Sequence, residues 1–546
     1  MAAIKQRYTF IVPNNFRDTP DSLRLSAERL ELEAVPGTRQ DRIIVSRPLV
    51  KEQNILDSVE DIRIEIGSRD NYAHVSPFDR TIQWGTHVTV VPQNGFNWDS
   101  FCNFVRSAVN PRIPCIGQAS FIKLPYGYYL YSTSVATDTL ISYIDSTYPA
   151  ISATDDSEDI PLGDLSELKT ANSISISFSR SEETARKLKG RLVVEVYWYY
   201  GHWTKTINPG LDSNNHKVEV GLLGKLSDDP DGDMTFGGIL AVVGDNSQFV
   251  PTLFDFQPRH RGLKAPAIYS PDFRLPYGLH PKHITNVYGD LHVPRVKSRN
   301  QVEDPKTGEF EITDVPATCG LYGFYILPNF IFVDKYQISD LADAQAGGVK
   351  RVVGIWGETD LEIPVWMVDK WGSTMLLELI TPSEAELELP VQAAEIEIPM
   401  HSRYEVPDWN TTAVIHDMPW PSIFWACNGS DETSMLSGPF DSNSLGHEKY
   451  FAPGTSFHYL LPNMTLSTPD NHTELVTKLS IPVVPLESYK YVQPWTVIFI
   501  LLGCVWITYK VICGYIRDGG IRKRNEGVAP ASKALAEQKK QEPKSE

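Results

Sequence analysis

Few residues in this chain are placed by type and spacing to do chemistry. Asp228-Asp-Pro-Asp-Gly-Asp233 gathers four carboxylates in six residues. A calcium loop needs glycine at its sixth position and glutamate at its twelfth. Counted from Asp229 those positions are Met234 and Leu240, so the match fails. The cluster also holds an Asp-x-Asp, which some sugar-nucleotide transferases use for a metal. It sits in a turn-rich stretch, and it reads as a solvated loop. His280 and His283 flank Pro281, poor geometry for two ligands on one helix. No nucleophile elbow, phosphate-binding loop, zincin helix or dinucleotide fingerprint occurs. Carboxylates are too abundant in this acidic chain for any pair to stand out as a glycosidase dyad. No catalytic residue, metal ligand or cofactor is assigned.

Cysteines and sequons carry a different chemistry. Cys102, Cys115, Cys319 and Cys427 lie outside the apolar C-terminal stretch, and Cys504 and Cys513 within it. None has zinc-ligand spacing. In an oxidising compartment the first four form up to two disulfides. Sequence does not fix connectivity. The working pairing is Cys102 with Cys115 and Cys319 with Cys427, and unpaired buried thiols are the alternative. Four N-glycosylation sequons begin at Asn410, Asn428, Asn463 and Asn471, none with proline in the middle.

The element that must position all of these is Trp495 to Ile516, WTVIFILLGCVWITYKVICGYI. Its first fifteen residues carry no charge, and only Lys510 interrupts the rest. Twenty-two helical residues reach roughly 33 Å, enough to cross a hydrocarbon core of ~30 Å. Trp495, Trp506, Tyr509 and Tyr515 suit the two interfaces, and Lys510 is near enough to one end to snorkel. Gly503, Cys504 and Thr508 form a small-residue face that could meet a partner helix.

Charge gives the span a direction. Arg517, Arg522, Lys523 and Arg524 follow it closely, whereas residues 485–494 before it carry only Glu487 and Lys490. By the positive-inside rule the C-terminus is cytoplasmic and the N-terminal mass lumenal or extracellular. All four sequons lie on that outer side. The chain's formal net charge is −18, and the tail and Lys510 are net positive, so the mass before the span is more acidic still. That excludes nucleic acid as an obvious partner. The N-terminus, MAAIKQRYTFIVPNNF, is too short in apolar residues for a signal-peptide core, so the C-terminal span is expected to direct insertion.

The chain before the span reads as mainly β, organised as two β-sandwich-like domains. Residues 1–250 hold strand candidates such as Ile62–Ile66, His87–Val91 and Arg191–Trp198, with a helical spacing over Trp98–Val109. Asn208–Asp233, rich in Gly, Pro, Asn and Asp, is the linker candidate. Residues 251–490 offer Gly320–Asp334, Glu362–Val368, Thr374–Ile380, Ala394–Pro399, Ile423–Cys427, Phe457–Leu461 and Leu475–Val484 as strands. The 39 prolines fit strand ends and loops better than helices. A transmembrane helix at 495–516 and a cytoplasmic tail at 517–546 complete the plan. Residue types alone leave three readings open: an accessory subunit, a single-pass surface or cargo receptor, and a lumenal hydrolase with an unrecognised site.

Five motifs in order narrow the choice: LPYGLHPKH (275–283), CGLYGFYILPNFIFVDKYQISDL (319–341), LEIPVWMVDKWGSTMLLELITP (361–382), IPMHSRYEVP (398–407) and WPSIFWAC (420–427). Followed by a terminal span, they resemble the PIG-X family, in particular its fungal members. The first 250 residues resemble the extra region of those members. The resemblance implies a non-catalytic stabilising subunit of glycosylphosphatidylinositol (GPI) mannosyltransferase I in the endoplasmic reticulum membrane. Its implied partner is a PIG-M-type catalytic subunit, which transfers the first mannose from dolichol-phosphate-mannose to glucosaminyl-phosphatidylinositol. Read as residues, Trp366, Trp371 and Trp425 in these motifs are core or interface side chains.

Overall fold

The computed structural model describes residues 3–15, 23–46, 53–69, 82–147, 165–181, 189–208, 216–227, 235–243, 248–256, 258–262, 267–275, 278–289, 291, 293–294, 297–303, 310–316, 318–381, 394–409, 411–428, 440, 446–463 and 474–538. Met1–Glu405 with Val414–Pro482 form one compact unit, and Val406–Ala413 with Val483–Glu546 a second.

The first unit is mainly β, as the short β-branched and aromatic runs imply. Its N-terminal strands all join a single twelve-stranded sheet. In order across the sheet they are Phe249–Phe256, Thr235–Val243, His216–Ser227, Ala3–Asn15, Leu30–Ser46, Lys189–Ile207, Ser173–Ser181, Val59–Gly67, Gly85–Pro92, Gly127–Ser132 and Ile122–Leu124, with Leu23–Leu25 paired to Leu30–Ser46. The pairing of Ala3–Asn15 with His216–Ser227 is parallel. The linker candidate 208–233 therefore contains a strand inside the sheet. Its glycines and polar residues bracket KVEVGLLGKL, whose Val218, Val220 and Leu222 alternate into an apolar core. Asp228–Asp233 lie outside the described residues. Gly37, at φ +151°, bends the strand Leu30–Ser46 where a Cβ would collide with the Ile11 carbonyl oxygen.

From His260 onward the described strands build three two-stranded sheets and two larger ones. One has six strands, in the order His260–Gly262, Ser456–Tyr459, Ser422–Asn428, Thr318–Pro328, Gly372–Leu379 and Val349–Gly357. The other has four: Ala394–Pro399, Lys282–Tyr288, Ile268–Arg274 and Leu461–Pro462. One face of the six-stranded sheet carries Leu321, Tyr325, Leu327, Met375 and Leu377, which pack with Tyr269, Phe273, Val287, Ile396 and Ile398 of the four-stranded sheet. This is the expected sandwich. Glu362–Val368, read as a strand from its apolar content, is instead a loop with a short 3₁₀ turn at Val365–Met367. Pro364 gives that turn no backbone N–H to pair in a sheet.

The opposite face of the six-stranded sheet is buried too. Phe324, Ile326, Leu376, Phe424 and Ala426 join a cluster with Ile62, Ile64, Val88, Val90, Phe101 and Val105 from the N-terminal half. Strands Gly372–Leu379 and Ser422–Cys427 are consequently buried at every position. Trp371 ties the halves together. Its Nε1 donates to the Tyr129 carbonyl oxygen at 2.9 Å, and its ring meets Tyr129 and Tyr131 edge-on at 5.2 and 5.4 Å. Sheet membership thus changes between residues 256 and 260, near the boundary read from sequence, but the packing does not divide there.

Two disulfides are present. Cys102–Cys115 closes the helix Trp98–Phe104 onto the loop after it. Cys319–Cys427 joins directly paired residues of neighbouring strands, with Cα atoms 4.0 Å apart. The second closes a loop between residues 108 apart in sequence and constrains the unfolded chain more than the first, whose ends are 13 apart.

Two outcomes follow for the full-length chain in detergent. Cys319→Ser with Cys427→Ser lowers unfolding stability by about 2–5 kcal/mol, and the Cys102/Cys115 pair changed likewise costs less. Trp371→Ala lowers it by about 3–5 kcal/mol. Denaturant titration measures both.

Candidate functional site: the membrane helix and its flanks

The apolar stretch belongs to one long helix, Tyr489–Gln538. Leu486–Arg517 contains an 18-residue window of mean hydropathy 2.1 and is long and apolar enough to cross a membrane. These 32 residues contain the 22 read from sequence together with the polar approach 486–494, and the helical backbone continues through 517–538. At about 1.5 Å per residue the stretch reaches roughly 48 Å, which covers the hydrocarbon core and both interfaces.

Along the span, Gly503 and Cys504 are exposed, and nothing lies within 4 Å of the point where a Gly503 Cβ would stand. Thr508 shares that stretch, but its hydroxyl donates to the Cys504 carbonyl oxygen at 2.7 Å. The face therefore offers shape rather than a free donor. Lys510 folds back over the Trp506 ring at 4.8 Å. Chain segment Val406–Ala413 is bound to the approach to the helix: Val483 N donates to Thr412 O and Leu486 N to Asp408 O, both at 2.9 Å.

The first unit carries its own exposed apolar patch. Leu361, Trp366, Met367 and Tyr404 are all more than half exposed. Buried Arg403 holds the backbone beneath them. Its Nη1 donates to the carbonyl oxygens of Asp360 (2.5 Å) and Ile363 (2.7 Å), and its guanidinium lies 4.1 Å over the Phe332 ring. Val365 N donates to Tyr404 O at 3.1 Å, joining two of the sequence motifs. Of the three motif tryptophans, Trp371 and Trp425 are core, and Trp366 faces outward.

A polar crevice lies between the twelve- and six-stranded sheets, lined by Glu65, Gln83, His87, Tyr129 and His447 among others. Sequence reading did not find it, because its members come from many elements far apart in the chain. His87 is hydrogen-bonded to Tyr129 Oη at 2.7 Å and to Gln83 O at 2.8 Å. Gln83 Nε2 donates to Trp420 O at 2.9 Å. The Tyr459 hydroxyl bridges His447 (3.0 Å) and His260 (2.9 Å), and His260 and Arg259 both face Glu448 at 3.1 and 3.0 Å. Burial opposes ionisation of Glu448, but the facing His260 and Arg259 charges outweigh it and hold the carboxyl down at about 2. Burial drives His447 down to about 3. These side chains are engaged in holding sheets together, and they do not form a nucleophile, base and orienting acid in sequence.

The histidines singled out by sequence are separated by the fold. His283 is fully buried, its imidazole pushed down to about 3 by desolvation, against Phe273 and Tyr325. His280 is near the surface, its Nδ1 3.1 Å from that of His401. Among the described residues no group of three or more His, Cys, Asp or Glu is arranged to hold a metal ion. Asn428 is exposed at the end of its strand, whereas Asn463 is buried at 8% exposure, its N–H donating to Tyr269 O. Asn410 and Asn471 lie outside the described residues.

Residues 276–512, from the first motif to within the membrane helix, match the PIG-X / PBN1 family. Over that stretch this chain is similar to the PIG-X / PBN1 family. Protein pbn1 of Emericella nidulans is 28% identical, with 96% of this chain and 98% of the relative aligned. Protein pbn1 of Aspergillus oryzae is 29% identical, over 93% and 96%. Protein pbn1 of Schizosaccharomyces pombe is 30% identical over 229 residues, 42% of this chain and 54% of the relative. The PIG-X / PBN1 match takes in the sandwich except its strands His260–Gly262 and Ile268–Arg274, together with the Arg403 patch and most of the span. The longer alignments also take in the twelve-stranded sheet. This similarity supports a role in GPI-anchor biosynthesis.

Buried histidines set a pH response. His283 and His447 hold folded-state values near 3, against about 6.5 when unfolded. The unfolded chain then binds protons first as pH falls, so stability is full above 6.5 and declines below it, by up to about 1.4 kcal/mol per pH unit for each histidine. Glu448 acts in a lower window, losing its contribution below about 4.5. Between pH 6.5 and 5 the denaturation midpoint falls, and His283→Gln with His447→Gln flattens the slope.

Proposed function

We propose that this chain is the non-catalytic stabilising subunit of GPI mannosyltransferase I. It acts as a single-pass protein of the endoplasmic reticulum membrane, with its β unit lumenal and its C-terminus cytoplasmic. Its partner is a PIG-M-type catalytic subunit, which transfers the first mannose from dolichol-phosphate-mannose to glucosaminyl-phosphatidylinositol.

The observation that carries the proposal is the PIG-X / PBN1 match over 276–512, which runs through the sandwich into the apolar helix. Three features support the rest. The basic cluster Arg522-Lys523-Arg524 follows the span, as the cytoplasmic side requires. Two disulfides fit an oxidising lumen for the mass before the span. The buried polar groups of the crevice are engaged with one another, which suits a scaffold. Such a subunit works by linkage: binding the folded partner raises the folded population, and tenfold more bound over free state is worth about 1.4 kcal/mol.

Partner contact is assigned to the span and to the Leu361, Trp366, Met367 and Tyr404 patch. Depleting this chain lowers the amount of the catalytic subunit and of GPI-anchored surface protein, while purification in mild detergent recovers the two subunits together. Trp366→Glu with Met367→Glu reduces recovery of the partner at least several-fold without changing the unfolding midpoint of the free chain. Unchanged partner abundance and anchoring after depletion would refute the assignment.

A further inference from the structure

We infer that Val406–Ala413 is an interfacial anchor that lays Trp409 into the lipid headgroup layer beside the start of the span. The inference rests on reading Leu486–Arg517 as membrane-crossing. Backbone hydrogen bonds fix the level of this segment. Leu486, nine positions before the apolar run begins at Trp495, donates its N–H to Asp408 O at 2.9 Å, and Val483 N donates to Thr412 O at 2.9 Å. Asp408 also shapes the turn: its Oδ1 accepts from Trp409 N at 2.7 Å and its Oδ2 from Thr411 Oγ1 at 3.3 Å. Trp409 is therefore tied to the approach to the span, about 14 Å of helix before Trp495, although it lies 86 positions from Trp495 in sequence.

The surroundings match that depth. Trp409 is 65% exposed, Val406 57% and Val484 61%. Tyr489 and Tyr491 are likewise exposed and flank Lys490. Tryptophan and tyrosine are enriched where an apolar ring and a polar edge meet the headgroups, and lysine there faces lipid phosphate. Continuity with the span selects lipid as the occupant. A second attachment point beside the helix entry restricts rotation and tilt of the span relative to the bilayer.

Tryptophan quenching in bilayers tests this. The full-length chain is reconstituted alone into phosphatidylcholine nanodiscs whose acyl chains are brominated either near the headgroup or near the methyl end. Emission of the chain minus that of Trp409→Phe isolates Trp409, and emission minus that of Trp506→Phe isolates a residue of the span. The expected result is strong quenching of the Trp409 component by bromine near the headgroup and weaker quenching by the deeper label, with the Trp506 component quenched as well. A quenched Trp506 component beside an unquenched, water-exposed Trp409 component overturns the anchor. So does a Trp409 component shielded from aqueous iodide only after a catalytic mannosyltransferase subunit is added, since the occupant is then protein. An unquenched Trp506 component overturns the membrane reading on which the anchor depends.

Discussion

The structure of the first unit depends on the burial of one sheet on both of its faces. The six-stranded sheet is pressed on one side by the four-stranded sheet and on the other by helices and strands from the N-terminal half. A sheet with one wet face alternates polar and apolar residues; one buried on both sides cannot. That is why GLYGFYILP and STMLLEL are apolar or small at nearly every position. Large apolar areas removed from water in both directions, at roughly 25 cal/mol per Å², dominate the stability of the unit. Trp371 and the Cys319–Cys427 bond sit in this layer.

The same constraint shapes the polar chemistry. Where the sheets meet, backbone and side-chain polar groups are taken from water and must find partners. Gln83, His87, His260, His447, Tyr459 and Glu448 supply them through a chain of hydrogen bonds and an ion pair. Burial depresses the pKa values of His283 and His447, which makes the unit acid-sensitive. At the surface, Arg403 and Asp408 hold the backbone beneath exposed aromatic side chains through hydrogen bonds. A rigid apolar surface binds a partner with less loss of side-chain freedom than a mobile one.

Much of this was legible in the residues, for physical reasons. The span could be read because twenty-odd apolar residues have few other uses. The strands could be read because β-branched and aromatic runs ended by proline and glycine favour pleated, half-buried surfaces. The strand at 216–227 was hidden because the glycines and aspartates around it are linker residues by composition, while its pairing is parallel to a strand over two hundred residues away. The loop at 362–368 looked like a strand because its apolar residues are placed for the surface rather than for a core. The crevice and the Asp408 turn were invisible: each is assembled from segments far apart in sequence, none with a local signature. The single core across residue 250 escaped notice because an apolar strand does not declare which of its faces are covered.

The central claim is that residues before and after position 256 share one core. Native-state hydrogen exchange of the full-length chain, followed across low denaturant concentrations, tests it directly. The slowest amides of Val59–Gly67 and of Thr318–Pro328 should open with the same free energy and the same denaturant dependence, as members of one cooperative unit. Two distinct opening free energies, with the strand near the N-terminus exchanging while Thr318–Pro328 stays protected, would contradict the account.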